Sequence, residues 1–332
     1  MTAITRRRAL AIFGAAAGVA AIPALTGRAA RAAQLHEWQG IALGAPARIS
    51  LAHPDGKEAQ RLFALCAAEI ERLEGEFSLH RDDSALSILN RRGALDKPSA
   101  DMVRLLSETA RFAALTDGAF DVTVQPLWRL YAGHFSAHPG DQAGPAQAEI
   151  DAARALVDYR QMTIAADRVG FATPGMAVTL NGIAQGYVTD RIADILRANG
   201  IVNVLVDLGE TMGVGEHPEA RPWAIGLTDP FNPATYDTVI ELSNRAVATS
   251  GGYGTRFSAD GRHHHLFDPR LGASANAHAS ASVLAPNATT ADALSTALFV
   301  APTETAERVV AEMPEVEVYL TATDGTKRHI VG

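Results

Sequence analysis

The sequence predicts an α+β fold. Helix-like and strand-like stretches follow one another without strict β-α-β alternation, the pattern of α+β chains. The chain also closes on a hairpin: residues 316–321 and 328–331 are strand-like and flank Asp324-Gly325, a dipeptide suited to a tight turn. The third observation is bulk. Of 332 residues, 47% are hydrophobic and 20% charged, which is globular composition with ample length for a large core. No fixed-period repeat interrupts it.

The first segment is an address. Arg6-Arg7-Arg8 precede an apolar run from Ala9 to Leu25, and Ala30-Arg31-Ala32 supplies small residues for cleavage. A charged start, an apolar middle and a small-residue end describe an export signal. The arginine pair after Thr5 fits the twin-arginine type. The apolar run is rich in alanine and glycine, too mild for a membrane span. The expected division is therefore a signal at 1–32 and one mature domain at 33–332, acting in the periplasm with no membrane span. The formal net charge is -8; without the signal's five arginines, 24 basic face 37 acidic residues, a net of -13. Such a chain does not advertise nucleic-acid binding. An anionic ligand would need a bound cation or backbone donors to offset the field.

The mature elements follow in order. A strand at 47–51 leads into a helix at 57–75, where Leu62, Cys66, Ile70 and Leu73 form an apolar stripe at helical spacing. Cys66 is the sole cysteine, so no disulfide closes within the chain, and its place in the stripe makes it a core thiol. A loop at 78–83 precedes a short helix at 84–90. A longer helix at 100–116 stops at Asp117-Gly118. The β-branched run 120–124 reads as a strand and 133–150 as a loop. Short strands at 161–164 and 177–180 feed a helix at 184–199. Strands follow at 202–206, 223–228, 237–242 and 246–249, with Trp223 a packing residue.

Four stretches carry chemistry. In 118–128 a glycine, an aromatic (Phe120) and a carboxylate (Asp121) meet at a junction that can hold a flat ring, or simply turn with Phe120 in the core. In 179–190, Leu180-Asn181-Gly182-Ile183-Ala184-Gln185-Gly186 is a glycine turn opening a helix, where backbone amides favour an anion. It is neither a Walker A loop nor a dinucleotide fingerprint. In 248–272, Ala248-Thr249-Ser250-Gly251 is followed by His263-His264-His265. Three histidines invite zinc, but on a strand successive side chains alternate faces, leaving only His263 and His265 to cooperate. A histidine beside a phosphate-binding turn can instead be a general base. Last, Asp292 and Thr296 in Ala291-Asp292-Ala293-Leu294-Ser295-Thr296 share one helix face. They suit a hard cation, or Asp292 complements the dipole of a helix start.

Taken in this order, these segments resemble the ApbE family of FAD:protein FMN transferases, over residues 36–330. The wording Leu180-Asn181-Gly182-Ile183-Ala184-Gln185-Gly186-Tyr187 and the twin-arginine start look most like the periplasmic branch linked to nitrous-oxide respiration. The resemblance implies antiparallel or mixed sheets flanked by helices, with FAD in a central cleft. It implies Mg²⁺-dependent transfer of FMN from FAD to a threonine or serine hydroxyl of a partner flavoprotein, releasing AMP. The partner would be the membrane-bound regulator of nitrous-oxide reductase. Carried over by position, the metal ligands fall on Gly182, Asp292 and Thr296. The FAD contacts fall on Leu43 (first strand), His80, Ala119, Phe120, Asp121, Thr179, Gln185 and His265. His265 and Asp292 are the catalytic candidates, His265 to activate the acceptor hydroxyl. The family often has aspartate at 179, lysine or glutamate at 185, tyrosine at 80, and Gly-Gly-Asp where Asp207-Leu208-Gly209-Glu210 stands. Two other readings use the same cleft: an FAD pyrophosphatase giving FMN and AMP, and a non-enzymatic periplasmic FAD-binding protein.

Overall fold

A computed structural model describes Ile4–Thr5 and residues 34–332; apart from that dipeptide, the expected signal at 1–32 lies outside the described residues. The chain runs β1 (Ile4–Thr5), β2 (Gln34–Ala42), β3 (Ala45–His53), α1 (Gly56–Phe77), α2 (Ala85–Arg92), β4 (Ala94–Asp96) and α3 (Ala100–Leu115). Then come α4 (Gln125–Ala137), α5 (Gln147–Arg154), β5 (Met162–Ile164), β6 (Arg168–Phe171), α6 (Ala184–Ala198), β7 (Val204–Asp207) and β8 (Thr211–Val214). The second half holds β9 (Trp223–Asp229), β10 (Asn232–Leu242), β11 (Arg245–Gly251), β12 (Phe267–Asp268), β13 (Ala273–Ser274) and β14 (His278–Ala285). It ends with α7 (Ala288–Val300), α8 (Thr303–Glu312), β15 (Glu317–Ala322) and β16 (Lys327–Ile330).

Local chemistry sets the helix starts. Asp55, Ser84, Ser99 and Asn287 each cap a helix by accepting a backbone N–H two or three residues on. The predicted stripe of α1 is buried along Leu62, Cys66, Ile70 and Leu73, and burial pushes the Cys66 thiol up to about 12. At the end of α3, Asp117 and Gly118 take positive φ angles of 52° and 77°, as a helix stop requires.

The strands build one eight-stranded sheet in the order β16-β15-β14-β11-β8-β7-β3-β2, antiparallel at every step. Its two faces are distinct because side chains alternate along a strand. Ala246 and Ala248 of β11 join the main core, beneath α1, α6 and α7. Val247 between them joins Trp223, Leu227, Ile240 and Leu242 of the β9–β10 hairpin on the opposite face. Trp223 is buried as expected and donates its Nε1–H to Val214 O. A third cluster unites Leu127, Tyr131 and Phe135 of α4 with Ile150 and Phe267. Among the described residues no helix is long and apolar enough to cross a membrane.

Four expectations about elements fail, each for a visible reason. Residues 120–124 are not a strand: Asp121 caps a 3₁₀ turn at Val122–Val124, and Pro126 helps start α4. The supposed loop 133–150 is only half loop: α4 runs through Gly133 to Ala137 and α5 begins at Gln147, leaving 138–146, which holds Pro139, Gly140, Gly144 and Pro145, as the connection. Residues 177–180 are extended but unpaired. The Asn90 side chain substitutes for a neighbouring strand, accepting from Val178 N at 2.6 Å and donating to Val178 O at 2.8 Å. Leu43 sits not on a strand but in the turn between β2 and β3, with φ 48° and its N–H on Glu74 Oε1 at 2.6 Å. The expected strands at 161–164 and 202–206 are β5 and β7; their antiparallel partners β6 and β8 are short, weakly patterned segments that the sequence did not announce.

Candidate functional site

The centre of the site is a helix that is buried almost all round. In α7 nearly every residue from Thr290 to Val300 is inaccessible, the mark of a core helix. A carboxylate there is the informative exception. Asn287 caps this helix, which starts at Ala288, so Asp292 lies beyond the first turn. It therefore does not complement the dipole of its own helix. Its Oδ2 accepts the Gly186 N–H of α6 at 2.9 Å, and α6 has no side-chain cap of its own.

The two helices touch closely. A Cβ at Gly186 would lie 2.3 Å from Ala288 O and 2.8 Å from Asp292 Cβ, so only glycine fits. From the other side, Asp190 Oδ1 accepts Ala288 N at 2.7 Å, and Oδ2 accepts Thr289 N at 2.8 Å and Thr289 Oγ1 at 2.6 Å. This clamp brings the 181–183 turn against α7. A Cβ on Gly182 would meet Thr296 Oγ1 at 2.8 Å. Ser250 of β11 completes the floor, within 2.9 Å of Ser295 Oγ and 3.3 Å of Thr296 Oγ1.

Above the floor lies a cavity of about 220 Å³. It is lined by Ala119, Phe120, Asp121, Thr179, Gly182, Gln185, His265, Asp292 and Thr296, that is, by nine of the residues singled out from sequence. Leu43 and His80 line a neighbouring cavity of about 240 Å³, which shares Asn181, Gln185 and His265 with the first. A third, of about 710 Å³, extends outward past Asn181 and His265 to Arg91 and Arg129. The first chamber alone is below the usual ~300–1,000 Å³ of ligand pockets, and the connected set exceeds it.

Each wall residue has a physical role. Phe120 is buried edge-on against Phe112, ring centroids 6.4 Å apart, and also faces the cavity, so the core and pocket readings of it are both met. Asp121 Oδ1 accepts Thr123 N at 2.8 Å and Thr123 Oγ1 at 2.6 Å, while Oδ2 accepts Tyr159 N at 3.0 Å. Burial raises its carboxyl above the usual range against those hydrogen bonds. Thr179 is tied back by its N–H to Val122 O at 2.8 Å.

The three histidines are not exposed on a strand; they point three ways from a loop. His263 Nε2 bonds Gln142 O at 3.2 Å. His264 is buried, donating Nε2–H to Ala275 O at 2.8 Å and accepting Leu266 N–H on Nδ1 at 3.2 Å. Burial lowers its imidazole to about 4. His265 reaches the cavity, and its Nδ1 contacts Thr255 O at 3.2 Å. A carbonyl only accepts, so Nδ1 carries the proton and Nε2 is the basic nitrogen. Burial lowers this imidazole also, favouring the neutral form. Among the described residues no group of three histidine, cysteine or acidic side chains forms a metal cluster, so the zinc reading has no support.

Several wall residues were not singled out from sequence: Glu210, Asn181, Ser250, Tyr253 and Trp128. All but Glu210 lie inside the chemical stretches; Glu210 stood out only as a departure from family wording. Burial pushes its carboxyl well up, and the charges of Asp292 and Asp207 push further. Burial likewise raises Asp292, opposed by the Gly186 amide and assisted by Asp190. Among the described residues no lysine or arginine lines this chamber. Two buried carboxylates without a cationic side chain are costly. Oxygen donors from Asp292, Thr296 and the 182 turn are the set a Mg²⁺ ion takes, so the residues present fit that ion.

Comparison with known proteins agrees with this geometry. The profile of the ApbE family matches residues 43–320. The FAD:protein FMN transferase of Haemophilus influenzae is 33% identical over 265 residues, 76% of each chain. That of Escherichia coli is 28% identical over 297 residues, 86% of this chain and 84% of the other. Among solved structures, the ApbE protein of Thermotoga maritima superposes with a TM-score of 0.79 at 30% identity, covering 90% of this chain and 97% of that one. The flavin transferase ApbE of Vibrio cholerae gives 0.76 at 28% identity, covering 90% and 96%.

Proposed function

The chain belongs to the ApbE family, and from that premise we propose that it is an FAD:protein FMN transferase. The acceptor is a threonine or serine hydroxyl of a partner flavoprotein. In the proposed reaction that hydroxyl oxygen attacks the FMN-side phosphorus of FAD. The bond from that phosphorus to the AMP oxygen breaks, AMP leaves, and the hydroxyl proton passes to a base. The carrying observation is the pairing of two things in one cavity: an oxygen-donor floor built on α6 and α7, and a neutral His265 with its basic nitrogen Nε2.

The chain's residues divide the work. Gly182, Asp292 and Thr296 would hold Mg²⁺, which when bound neutralises phosphate charge and stabilises the leaving group. Phe120, Asp121, Thr179 and Gln185 line the space for the dinucleotide, with Leu43 and His80 at its far end. Transfers of this kind are catalysed mainly by positioning and charge neutralisation. Thr179 and Gln185 are neutral, leaving that neutralisation to the cation. His265 Nε2 takes the acceptor proton.

The finer reading rests on sequence. The arginine-rich 1–32 segment supports twin-arginine export and action in the periplasm on a mature domain at 33–332. The 180–187 wording supports the branch linked to nitrous-oxide respiration, with the membrane-bound regulator of nitrous-oxide reductase as acceptor. The test is mass spectrometry of that acceptor after incubation with the purified protein, FAD and Mg²⁺. One added FMN, lost on chelation, is expected. No adduct, with AMP released at full rate without acceptor, would make the protein a pyrophosphatase instead.

A further inference from the structure

We propose that Glu210 is a further ligand of the cation site, giving a carboxylate oxygen from the wall facing Asp292 and Thr296. The inference deepens the reading above and rests on it. Glu210 is only 9% exposed, and what remains open faces the same chamber as Gly182, Ser250, Asp292 and Thr296. Its carboxylate has one backbone donor, the Thr249 amide, and no side chain donates to it among the described residues. Asp292 stands likewise, with Oδ2 on the Gly186 amide and no donor to Oδ1 among the described residues. Each carboxylate thus keeps an oxygen for something that is not protein. A buried anion left unpaired is strongly destabilising, and a pair of them in a chamber that no lysine or arginine lines among the described residues more so. A hard cation between them answers both, since it takes six or more oxygens and prefers carboxylates.

The placement of Glu210 is built rather than incidental. Its carbonyl oxygen accepts Leu208 N at 3.1 Å and Thr189 Oγ1 at 3.3 Å. Thr189 belongs to α6, the helix that follows the Gly182 turn and whose Gly186 amide holds Asp292. The 207–210 turn is therefore pinned to the same helix as the opposite wall. The turn joins β7 to β8, neighbouring strands inside the sheet, and so carries Glu210 to the chamber wall.

The test uses Mn²⁺ as the probe, titrated into the purified metal-free full chain with FAD present and followed by the electron paramagnetic resonance of free Mn²⁺. Glu210→Gln, equal in size, is expected to weaken Mn²⁺ binding at least tenfold, as Asp292→Asn does. Glu210→Asp, which keeps the charge, is expected to recover most of that loss. Metal-free Glu210→Gln should melt at or above the wild-type temperature, since a buried charge is gone, and should lose the upward shift that Mn²⁺ gives the wild type. If Glu210→Gln binds Mn²⁺ like the wild type while Asp292→Asn does not, the Glu210 assignment is overturned and the transferase reading stands. If the wild type and all variants fail to bind Mn²⁺, both are overturned. If Glu210→Gln unfolds and Glu210→Asp folds without binding better than Asp292→Asn, Glu210 is a structural residue and the proposal falls.

Discussion

Replacing Asp292 separates its two roles. The carboxylate accepts the buried Gly186 N–H at 2.9 Å and faces the proposed cation. Asp292→Ala leaves that amide without a partner, at a cost of about 1–3 kcal/mol. Asp292→Asn keeps a carbonyl oxygen on the amide and removes a charge that burial and the neighbouring acids Asp190 and Glu210 disfavour. In metal-free buffer the asparagine variant should therefore melt at or above the wild type. The alanine variant should fall below it by roughly 2–6 °C, taking about 2 °C per kcal/mol for a domain of this size. Both should lose the metal: losing ~3 kcal/mol of transition-state stabilisation means more than a hundredfold in turnover. The assays are scanning calorimetry with and without Mg²⁺ and FMN transfer at saturating FAD. An asparagine variant that transfers FMN at the wild-type rate would refute the metal role. One that melts as low as the alanine variant would refute the claim that the amide contact is its structural role.

Other outcomes follow from the same geometry. Gly186→Ala would put a Cβ 2.3 Å from the Ala288 carbonyl oxygen, so a loss of about 3 kcal/mol or more in denaturant unfolding is expected; an unchanged midpoint would show that the helices separate freely. Asp190→Ala removes three acceptor contacts at the start of α7 and should cost about 2 kcal/mol, with Asp190→Asn intermediate; equal losses in the two would deny the capping role. His264 is buried neutral with its imidazole lowered to about 4 from 6.5. The unfolded chain then binds a proton that the folded one refuses, so stability is full above pH 6.5 and falls by about 3 kcal/mol as pH drops toward 4. His264→Gln should be less stable at pH 7.5 but lose less between pH 7 and 4.5; parallel pH profiles would sink this. His265→Gln should lower FMN transfer and spare Mn²⁺ binding, and a parallel loss of both would make His265 a structural rather than a catalytic group.

The legible parts of this protein were those where one residue type has one meaning. The stripe of α1, the Asp117-Gly118 stop and the Asp324-Gly325 turn belong there, and each is found where the spacing placed it. Side chains that imitate backbone were opaque. Asn90 gives the Val178 peptide both of a strand's hydrogen bonds, so a β-branched run stays unpaired. Asp121 turns another such run into a 3₁₀ start. In the site, the candidate residues gathered around connected cavities because they sit in motifs whose order is itself a constraint. Glu210 carries no local signature. Its meaning depends on Asp292, 82 positions away along the chain, and a pairing of that separation exists only once the sheet has formed.

The floor of the cleft is also the middle of the hydrophobic core. Ala291, Ala293, Leu294, Ala297 and Leu298 share α7 with Asp292 and Thr296 and are inaccessible. Segments of this kind open only when the whole molecule does. Amide hydrogen exchange should thus find α7 among the slowest regions, and loading the cation should slow it by the same factor as the remotest strand of the sheet. Such a site has no private breathing motion through which the proposed ion could slip out; departure from beneath must wait for global unfolding.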